Sequence, residues 1–338
     1  MTQTPLRIVI NGFGRIGRSV LRLLQTARAD AGIEVVLIND IATLEMSAYL
    51  FEFDSVYGPF NGEVATDGAA LIVNGNAIRY RSQPSLEGLD LSDVDVVLEC
   101  TGTADTREVA EAGLRAGARR VLISGPSAAA DLTLVLGANE DRLADQKVVS
   151  NASCTTNALA PLLRLLDDEF GVISAHMTTI HCYTGSQPTI DKPRGEDMAR
   201  SRAAALSIVP TTTSATRLIE QVLPQLGGRI TGSAVRVPVA SVSAVDLIVG
   251  LENRPDDFAE RLQRAVGESP CLGWTGKPLV STDLRARPES LILAAPETIH
   301  GPDFTRLFGW YDNEWGFSNR MIDVALRMGA DRRREQDE

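Results

Sequence analysis

The chain has 338 residues, 44% of them hydrophobic and 23% charged, and is long enough for two packed domains. Its formal net charge of −11 argues against general affinity for nucleic acid or membranes. Four cysteines without paired ligand spacing lead us to expect no metal site and a reducing compartment. No basic-then-apolar leader and no apolar stretch of membrane-spanning length is present, so we expect a cytoplasmic protein.

The first predicted element is a short apolar strand that opens into a glycine-rich turn. The strand at residues 6–10 is followed by NGFGRIGR at 11–18 and then by an apolar helical run. Gly12, Gly14 and Gly17 stand where a dinucleotide fingerprint needs a tight turn, close approach of the pyrophosphate and close helix packing. An ordinary glycine-rich turn is the alternative, but it does not account for the flanking strand and helix.

A second strand at 34–38 ends beside an acidic residue. Asp40 lies 23 residues beyond Gly17, close to the spacing of the acid that binds adenosine ribose hydroxyls. A carboxylate there repels a 2′-phosphate, so the sequence favours NAD over NADP as the cofactor. Lys192 is a cation that would partly compensate, and we favour the alternative that it is a solvated surface charge.

Strand and helix patterns alternate up to about residue 150, which predicts a Rossmann-type doubly wound parallel sheet. Strands in the second half are longer and alternate in polarity, which predicts an α+β catalytic domain with a mixed or antiparallel sheet. A helix over 202–207 is also predicted there. We expect an NAD-binding domain over 1–153, completed by a C-terminal helix at 317–338, and a catalytic domain over 154–316.

One cysteine stands in a setting that suits covalent catalysis. Cys154 lies in SNASCTTN at 150–157, and an apolar helical pattern follows at once. This puts the thiol at a helix N-terminus, where unpaired N–H groups and the helix dipole favour a thiolate. A thiolate is the nucleophilic form. The alternative is a small buried hydrophobic residue, the usual use of a free cysteine.

The chain has three histidines, and one of them is a candidate partner for this thiol. His181 ends a strand-like run, and strand ends commonly present functional groups. His176 lies five residues earlier and therefore points to the opposite face of the strand, so we interpret it as structural. His300 lies in a loop pattern with no visible partner.

Four motifs together resemble glyceraldehyde-3-phosphate dehydrogenase and its sister family, erythrose-4-phosphate dehydrogenase. They are NGFGRIGR at 11–18, SNASCTTN at 150–157, PTTT at 210–213 and WYDNEWG at 310–316. The likeness covers essentially the whole chain, in order and at family spacing. It implies an NAD-dependent, phosphorylating aldehyde dehydrogenase that forms a homotetramer and acts on an aldehyde phosphate and inorganic phosphate.

The resemblance also implies roles for single residues. Cys154 would be the nucleophile and His181 its base. The residues expected to bind NAD, besides the three glycines, are Arg15, Ile16, Asp40, Arg81, Ser124 and Asn313. The pocket for the substrate's own phosphate would contain Thr184, Ser186 and Arg236. The pocket for attacking inorganic phosphate would contain Ser153, Thr155, Thr213 and Ser214.

Some positions depart from the family pattern. The pair Gly185 and Ser186 replaces the usual Asn-Asp, and Ser214 stands where glycine is usual. Ala199 occupies the position of an arginine that serves the inorganic-phosphate pocket, and Arg200 is expected to point elsewhere. Two alternatives therefore stand beside the main interpretation: an erythrose-4-phosphate dehydrogenase, and a regulatory NAD-binding relative without turnover. Intact Cys154, His181 and Asn313 argue against the second.

Overall fold

The structure is a computed structural model that describes residues 4–195 and 197–330. The chain divides into two compact units. Of the described residues, one unit contains 4–134, Asp141–Ala152 and 318–330. The other contains Val135–Glu140 and Ser153–Phe317. The domain boundaries given above, including a C-terminal helix that reaches beyond the described residues, stay a prediction.

The first unit is built on a parallel-rich sheet, which in the described residues has nine strands in the order β3-β4-β5-β2-β1-β6-β7-β9-β8. The strands are β1 (Leu6–Asn11), β2 (Ile33–Asp40), β3 (Val64–Asp67), β4 (Ala70–Val73), β5 (Asn76–Ser82), β6 (Val96–Glu99), β7 (Arg120–Ile123), β8 (Leu132–Thr133) and β9 (Val148–Ser150). Its helices include α1 (Arg15–Leu24), α2 (Leu44–Glu52), α3 (Arg107–Ala110) and α4 (Ala112–Arg115).

Strand β1 lies in the middle of this sheet, parallel to β2 on one side and to β6 on the other. Its residues are almost entirely buried, as expected of a central parallel strand covered on both faces. The order of the strands reverses at β1, and ligands of open α/β sheets bind at the carboxyl ends of strands at such a point. The turn after β1 therefore has the position that a dinucleotide site requires.

The second unit is built on a mixed sheet in the order β11-β12-β10-β13-β17-β15-β14, with β16 paired to β17. The strands are β10 (Val172–Cys182), β11 (Val209–Thr211), β12 (Ile230–Val237), β13 (Ser243–Leu251), β14 (Leu272–Thr275), β15 (Leu291–Ala294), β16 (Ile299–His300) and β17 (Thr305–Tyr311). Its helices are α5 (Cys154–Phe170), α6 (Ala215–Val222) and α7 (Phe258–Glu268), and α8 (Trp315–Met328) follows.

Two elements of the second unit position the candidate chemistry. Helix α5 begins at Cys154 and has a buried apolar face that includes Leu159, Leu163 and Leu166. Strand β10 runs beside β12 in parallel and beside β13 in antiparallel orientation, so it is held on both edges. A strand paired on both edges is a rigid support for the groups at its end.

The observed fold has the predicted class, and one local prediction is wrong. The pattern at 202–207 predicted a helix, but this stretch contains only the short 3₁₀ turn Ala204–Leu206. The Ala204 amide instead donates a hydrogen bond to the Pro188 carbonyl at 3.0 Å, so it is not used within a helix. Leu206 is 83% exposed, so the apolar periodicity does not correspond to a buried helical face.

Candidate active site

Cys154 is the first residue of α5, and its local geometry follows from the residues just before it. Ala152 has φ +53°, a left-handed conformation that is costly for a non-glycine residue. Its amide donates to Ser150 Oγ at 3.1 Å, which helps to hold the turn. Ser153 caps the helix by accepting the Thr156 amide at 3.0 Å, a contact typically worth about 0.5–2 kcal/mol. The thiol is thus fixed at a helix N-terminus, as predicted.

His181 lies near the end of β10, and its ring reaches the thiol. The Nε2 atom of His181 is 3.5 Å from Cys154 Sγ. His181 is buried, whereas His176 on the same strand is exposed and bonds Thr231 Oγ1 through Nδ1 at 2.8 Å. The two histidines differ in burial, and the functional and structural roles assigned to them stay predictions. A thiol and an imidazole at this separation have the geometry that a nucleophile and its base require.

Burial drives both members of this pair toward their neutral forms. It raises the pKa of the Cys154 thiol, while the positive charge of Arg236 and hydrogen bonding with Thr155 lower it less. Burial and, secondly, the charge of Arg236 lower the pKa of His181 to about 4. The helix N-terminus was expected to favour the thiolate, but desolvation of the charged sulfur outweighs it.

The turn after β1 fits a dinucleotide. Gly12 has φ +93°, and a Cβ there would lie 2.5 Å from the backbone carbon of Cys100. A Cβ on Gly17 would lie 2.3 Å from the Gly12 carbonyl oxygen, so both positions require glycine. Gly14 has open space on its Cβ side. The two outer glycines thus make the turn and its packing, and the middle one leaves the approach to the helix N-terminus clear.

The other predicted cofactor residues of the first unit surround this turn. Asp40 ends β2, and its carboxylate accepts the amides of Phe13 at 2.5 Å and Ala42 at 2.8 Å. Arg15 and Ile16 open α1, where backbone N–H groups lack helical partners. The guanidinium of Arg15 is paired with Asp54.

Two more predicted cofactor residues lie at the ends of other strands of the same sheet, β5 and β7. Arg81 is exposed near the end of β5, and its Nη1 donates to the Tyr80 carbonyl at 3.1 Å. Ser124 directly follows β7, and its amide donates to the Glu99 carbonyl at 2.9 Å. Asn313 belongs to the second unit.

Arg236 lies beside the histidine. Strands β10 and β12 pair His181 with Arg236 in register. Arg236 Nη1 is 2.7 Å from His181 Nδ1 and 3.0 Å from the Cys182 carbonyl oxygen. The arginine that is predicted to bind the substrate's phosphate therefore contacts the histidine that is predicted to be the base.

The hydroxyl groups predicted to bind phosphate have local partners. Thr184 and Ser186 bond each other at 2.9 Å. Thr155 Oγ1 bonds the Tyr311 hydroxyl at 2.9 Å, and Thr213 Oγ1 accepts the Ala215 amide at 3.1 Å. Ser214 precedes the first residue of α6. Hydroxyls with these partners are fixed in direction and keep a free lone pair.

A cavity of about 490 Å³ lies in the loop that follows β10, and it is rich in cations. Its lining side chains include Lys192, Arg194 and Arg200, together with Ser186 and Asp197. Arg200 was expected to point elsewhere, but its Nη2 donates to the Thr212 carbonyl at 3.1 Å, next to Thr213. It also pairs with Asp197 at 3.3 Å. A guanidinium thus reaches the threonine run although position 199 is alanine.

Sequence reasoning missed two residues around the nucleophile. The Tyr311 hydroxyl bonds Thr155 and also Thr179 Oγ1 at 2.8 Å, and its ring stands edge-on to His181 at 6.0 Å between centroids. Cys182 is buried, and its thiol donates to Asn313 Oδ1 at 3.1 Å. Tyr311 lies within the WYDNEWG motif, which was a usable signal, whereas the Cys182 contact joins residues 131 positions apart.

A buried carboxyl in the first unit was also missed. Glu99 ends β6, accepts hydrogen bonds from Asn11 Nδ2 and the Thr101 amide, and is 2% exposed. Burial raises its pKa, although the hydrogen bonds from Thr101 and Asn11 oppose this. It lines a cavity of about 680 Å³ beside Asn11 and Thr101. This network fixes the strand ends under the glycine-rich turn.

Comparison with known proteins identifies the family. The model of the glyceraldehyde 3-phosphate dehydrogenase NAD binding domain matches residues 6–107, and the model of the C-terminal domain matches 153–313. Glyceraldehyde-3-phosphate dehydrogenase from Xanthobacter flavus is 44% identical over 334 residues, covering 96% of this chain and 98% of the relative. The chain belongs to the glyceraldehyde-3-phosphate dehydrogenase family. The enzyme from Pseudomonas aeruginosa is 45% identical, and the match covers 97% of this chain and 99% of the relative. The enzyme from Cereibacter sphaeroides is 44% identical, and the match covers 96% of this chain and 98% of the relative.

Membership of the glyceraldehyde-3-phosphate dehydrogenase family confirms several predictions. The family, the two-part Rossmann-type and mixed-sheet fold, the dehydrogenase class and the NAD cofactor are as predicted. The roles of the individual site residues stay predictions. Within residues 4–195 and 197–330, no group of three or more metal-ligating side chains is positioned to hold an ion. None of the helices described is long and apolar enough to cross a membrane.

Proposed function

We propose that this protein oxidises glyceraldehyde 3-phosphate and phosphorylates the product with inorganic phosphate, giving 1,3-bisphosphoglycerate and reduced NAD. The observation that carries the proposal is the thiol of Cys154 at the start of α5, 3.5 Å from His181 Nε2. The relatives quoted above, all named glyceraldehyde-3-phosphate dehydrogenase, support this aldehyde over erythrose 4-phosphate.

The first unit would hold the cofactor through backbone and carboxylate groups. The turn from Gly12 to Gly17 would approach the pyrophosphate, and Asp40 would accept the ribose hydroxyls. When bound, NAD supplies a hydride acceptor at its nicotinamide ring. The other residues proposed to contact it are Arg15, Ile16, Arg81, Ser124 and Asn313.

Cys154 and His181 would carry the covalent steps. The sulfur of Cys154 adds to the aldehyde carbon, and its proton is taken up by His181 Nε2. Nε2 passes this proton to the carbonyl oxygen, which becomes a hydroxyl, and is free to accept again. Removal of hydride from the carbon, and of the hydroxyl proton by Nε2, then leaves an acyl thioester on the sulfur. An oxygen of inorganic phosphate then attacks the acyl carbon, the carbon–sulfur bond breaks, and the thiol is regenerated.

Stabilisation of the developing negative oxygen would come from the same two elements. The first-turn N–H groups of α5 point toward the start of the helix, and His181 in its protonated form donates from Nε2. Because the site is partly dehydrated, such donors are worth more there than in bulk water.

Two groups of side chains would bind the phosphates. Arg236, with Thr184 and Ser186, would hold the phosphate that the substrate carries, because guanidinium and hydroxyl donors suit phosphate oxygens. The attacking phosphate would be held by Ser153, Thr155, Thr213 and Ser214. The nearby cationic cavity of the second unit, with Lys192, Arg194 and Arg200, supports an anionic substrate.

We also infer a homotetramer from the family resemblance. A cytoplasmic location and the domain boundaries at 153, 154, 316 and 317 are inferred from the sequence patterns described above. Light scattering during gel filtration tests the tetramer, and a monomer at micromolar concentration contradicts it.

The proposed function is tested by adding NAD and either aldehyde phosphate, with and without inorganic phosphate, and following the absorbance of reduced NAD. We expect sustained turnover with glyceraldehyde 3-phosphate and phosphate, and no turnover by Cys154→Ser. Faster turnover with erythrose 4-phosphate, insensitive to phosphate, would support the alternative substrate. No reduction with either aldehyde would support a regulatory protein.

A further inference from the structure

A row of buried polar side chains crosses the ends of neighbouring strands in the first sheet. Asn39 of β2 donates from Nδ2 to the Gln83 carbonyl at 3.1 Å and to Asn11 Oδ1 of β1 at 2.8 Å. Asn11 Nδ2 in turn donates to Glu99 Oε2 of β6. Strands β5, β2, β1 and β6 are neighbours in this order, and Gln83 directly follows β5. Asn11, Asn39 and Glu99 are 6%, 2% and 2% exposed, so water has little access to them.

The direction of each hydrogen bond in this row is fixed from its two ends. At one end the Gln83 carbonyl can only accept, so Asn39 presents its NH₂ group there, and the same nitrogen faces Asn11. Asn11 therefore presents its oxygen to Asn39 and its NH₂ group to Glu99. At the other end the Thr101 amide, which can only donate, bonds Glu99 Oε1 at 2.9 Å.

Position 99 therefore needs two accepting oxygens, one toward Asn11 and one toward Thr101. A glutamate side chain has both, whereas a glutamine of the same length has one oxygen and one NH₂ group. Reversing both asparagine amides would let a glutamine bond Asn11. It would also turn Asn39 Oδ1 toward the Gln83 carbonyl oxygen, and a buried pair of acceptors without a donor is costly.

The row adjoins the groups that are predicted to bind the cofactor. Asn11 directly precedes Gly12 of the glycine-rich turn, and Asn39 directly precedes Asp40, the predicted ribose ligand. The main chain is tied at the same place, because the Gly12 amide donates to the Asn39 carbonyl at 2.7 Å. Glu99 also lines the cavity of about 680 Å³ together with Asn11. A shift of these side chains would therefore move the turn and the ribose carboxylate.

We propose that Glu99 is a positioning residue for the dinucleotide, which through Asn11 and Asn39 holds the glycine-rich turn and Asp40 in the arrangement that NAD binds. This rests on the proposed function, in which the turn and Asp40 bind the pyrophosphate and the adenosine ribose. Glu99 acts through its neighbours and needs no contact with NAD. A site whose parts are fixed before binding loses less freedom on binding, so its affinity is higher.

The test exchanges the two partners of the hydrogen bond between Glu99 and Asn11. Glu99→Gln keeps the length of the side chain and removes one acceptor. The double variant Asn11→Asp with Glu99→Gln restores every bond of the row. The carboxylate at position 11 then accepts from Asn39 and from the NH₂ group at position 99, and the amide oxygen at position 99 accepts from Thr101. Glu87→Gln is the control, because Glu87 is an exposed acid that lines the same cavity.

Calorimetry gives the dissociation constants of NAD and of ADP-ribose, which lacks the nicotinamide and cannot be reduced. We expect Glu99→Gln to raise both by about tenfold or more, and the double variant to lie within about threefold of the unmodified protein. Glu87→Gln should bind both as the unmodified protein does. At saturating NAD, kcat and the KM for the aldehyde should change by less than about twofold in Glu99→Gln, because the loss lies in cofactor binding.

A second measurement needs no cofactor. Amide hydrogen exchange of the free protein is followed by mass spectrometry of peptides that contain residues 11–17 and 99–103. Exchange should be faster in Glu99→Gln, because the turn and the loop open more often, and it should return to that of the unmodified protein in the double variant. Peptides of the second unit should exchange alike in all variants.

The inference is overturned if Glu99→Gln binds both ligands as tightly as the unmodified protein, or if the double variant binds them no more tightly than Glu99→Gln. A fall in kcat as large as the fall in affinity also overturns it. If Glu99→Gln does not fold, the double variant decides, because it should fold and bind NAD, and its failure contradicts the proposal. Turnover by the unmodified protein with unaltered binding by Glu99→Gln sinks this inference alone. The expected dissociation constants without reduction of NAD sink the proposed function alone.

Discussion

His181 Nε2 lies 3.5 Å from Cys154 Sγ, yet burial favours the uncharged form of both groups. The helix N-terminus at Cys154 opposes this effect of burial, and the thiol becomes nucleophilic when it loses its proton.

The first prediction concerns selective alkylation. Iodoacetamide should modify Cys154 more than about tenfold faster than Cys100, Cys182 or Cys271. The thiolate is the reactive form, and its fraction falls about tenfold for each unit by which the thiol pKa rises. Burial raises the pKa of Cys100 and of Cys182 to about 12. Cys271 is 1% exposed. Mass spectrometry of tryptic peptides measures the four rates.

His181→Asn should slow the labelling of Cys154, because the sulfur loses the imidazole that stabilises its anion. The control is His176→Asn on the exposed face of the same strand, which should leave the rate unchanged. Equal rates at all four thiols would show that Cys154 is not activated.

The second prediction concerns stability against pH. The folded state depresses the pKa of His181 from 6.5 to about 4. Above pH 6.5 the His181 ring is neutral in both the folded and the unfolded chain. Between pH 6.5 and 4 the ring binds a proton in the unfolded chain but not in the folded chain. Stability is therefore lost as pH falls from about 6.5 to 4, by roughly 3 kcal/mol at most.

The measurement is the free energy of unfolding by urea at several pH values, in the unmodified protein and in His181→Asn. The free energy of unfolding of the unmodified protein should approach or fall below that of His181→Asn toward pH 4. The reason is that the variant lacks the imidazole whose protonation the folded state opposes. His176→Asn controls for the loss of a histidine. Parallel curves for the unmodified protein and His181→Asn would contradict the depressed pKa.

The third prediction concerns cofactor choice. NAD should exceed NADP in kcat/KM because the Asp40 carboxylate, held by the Phe13 and Ala42 amides, repels a 2′-phosphate. Asp40→Asn removes the charge at nearly constant shape, and Asp40→Ala removes the group. Both should narrow the preference by roughly tenfold, or about 1.4 kcal/mol. Equal use of both cofactors by the unmodified protein would mean that a cation such as Lys192 overrides the carboxylate.

The fourth prediction concerns inorganic phosphate. The family resemblance implies that an arginine at position 199 serves the inorganic-phosphate pocket. On that assignment, Ala199 removes one charge-assisted hydrogen bond of about 1.5–3 kcal/mol, which corresponds to a loss of about tenfold to a hundredfold in phosphate affinity. Ala199→Arg should lower the phosphate concentration for half-maximal rate accordingly. Stopped-flow mixing should show a burst of reduced cofactor before slow turnover in the unmodified protein.

Arg200 provides the companion experiment, because its guanidinium already reaches the Thr212 carbonyl. If it substitutes for the missing arginine, Arg200→Ala should raise the half-saturating phosphate concentration. Saturation at low phosphate, with no response to Ala199→Arg or Arg200→Ala, would place the phosphate site elsewhere.

Local patterns in the sequence were sufficient for much of the fold. The glycine triplet between β1 and α1 and the start of α5 at Cys154 depend on residues adjacent in the chain. Periodicity in β10 separated His176 from His181 for the same reason. These features depend on backbone geometry and short-range capping, which the sequence encodes directly.

Features that depend on distant contacts were not predictable from the sequence. The contact of Arg236 with His181 follows from the register of β10 against β12, across 55 positions. The raised pKa of Cys154 depends on burial by the assembled unit, which outweighs the local helix terminus. Arg200 reaches Thr212 because of the path of an irregular loop, for which the sequence has no periodic signal.

The most direct test of the account is the mass of the protein after mixing with NAD and glyceraldehyde 3-phosphate in the absence of phosphate. We predict one 3-phosphoglyceroyl group per chain, mapped by peptide analysis to Cys154, released by added inorganic phosphate and absent from Cys154→Ser. Reduction of NAD without an adduct on Cys154, or continued turnover by Cys154→Ser, would contradict covalent catalysis by this thiol.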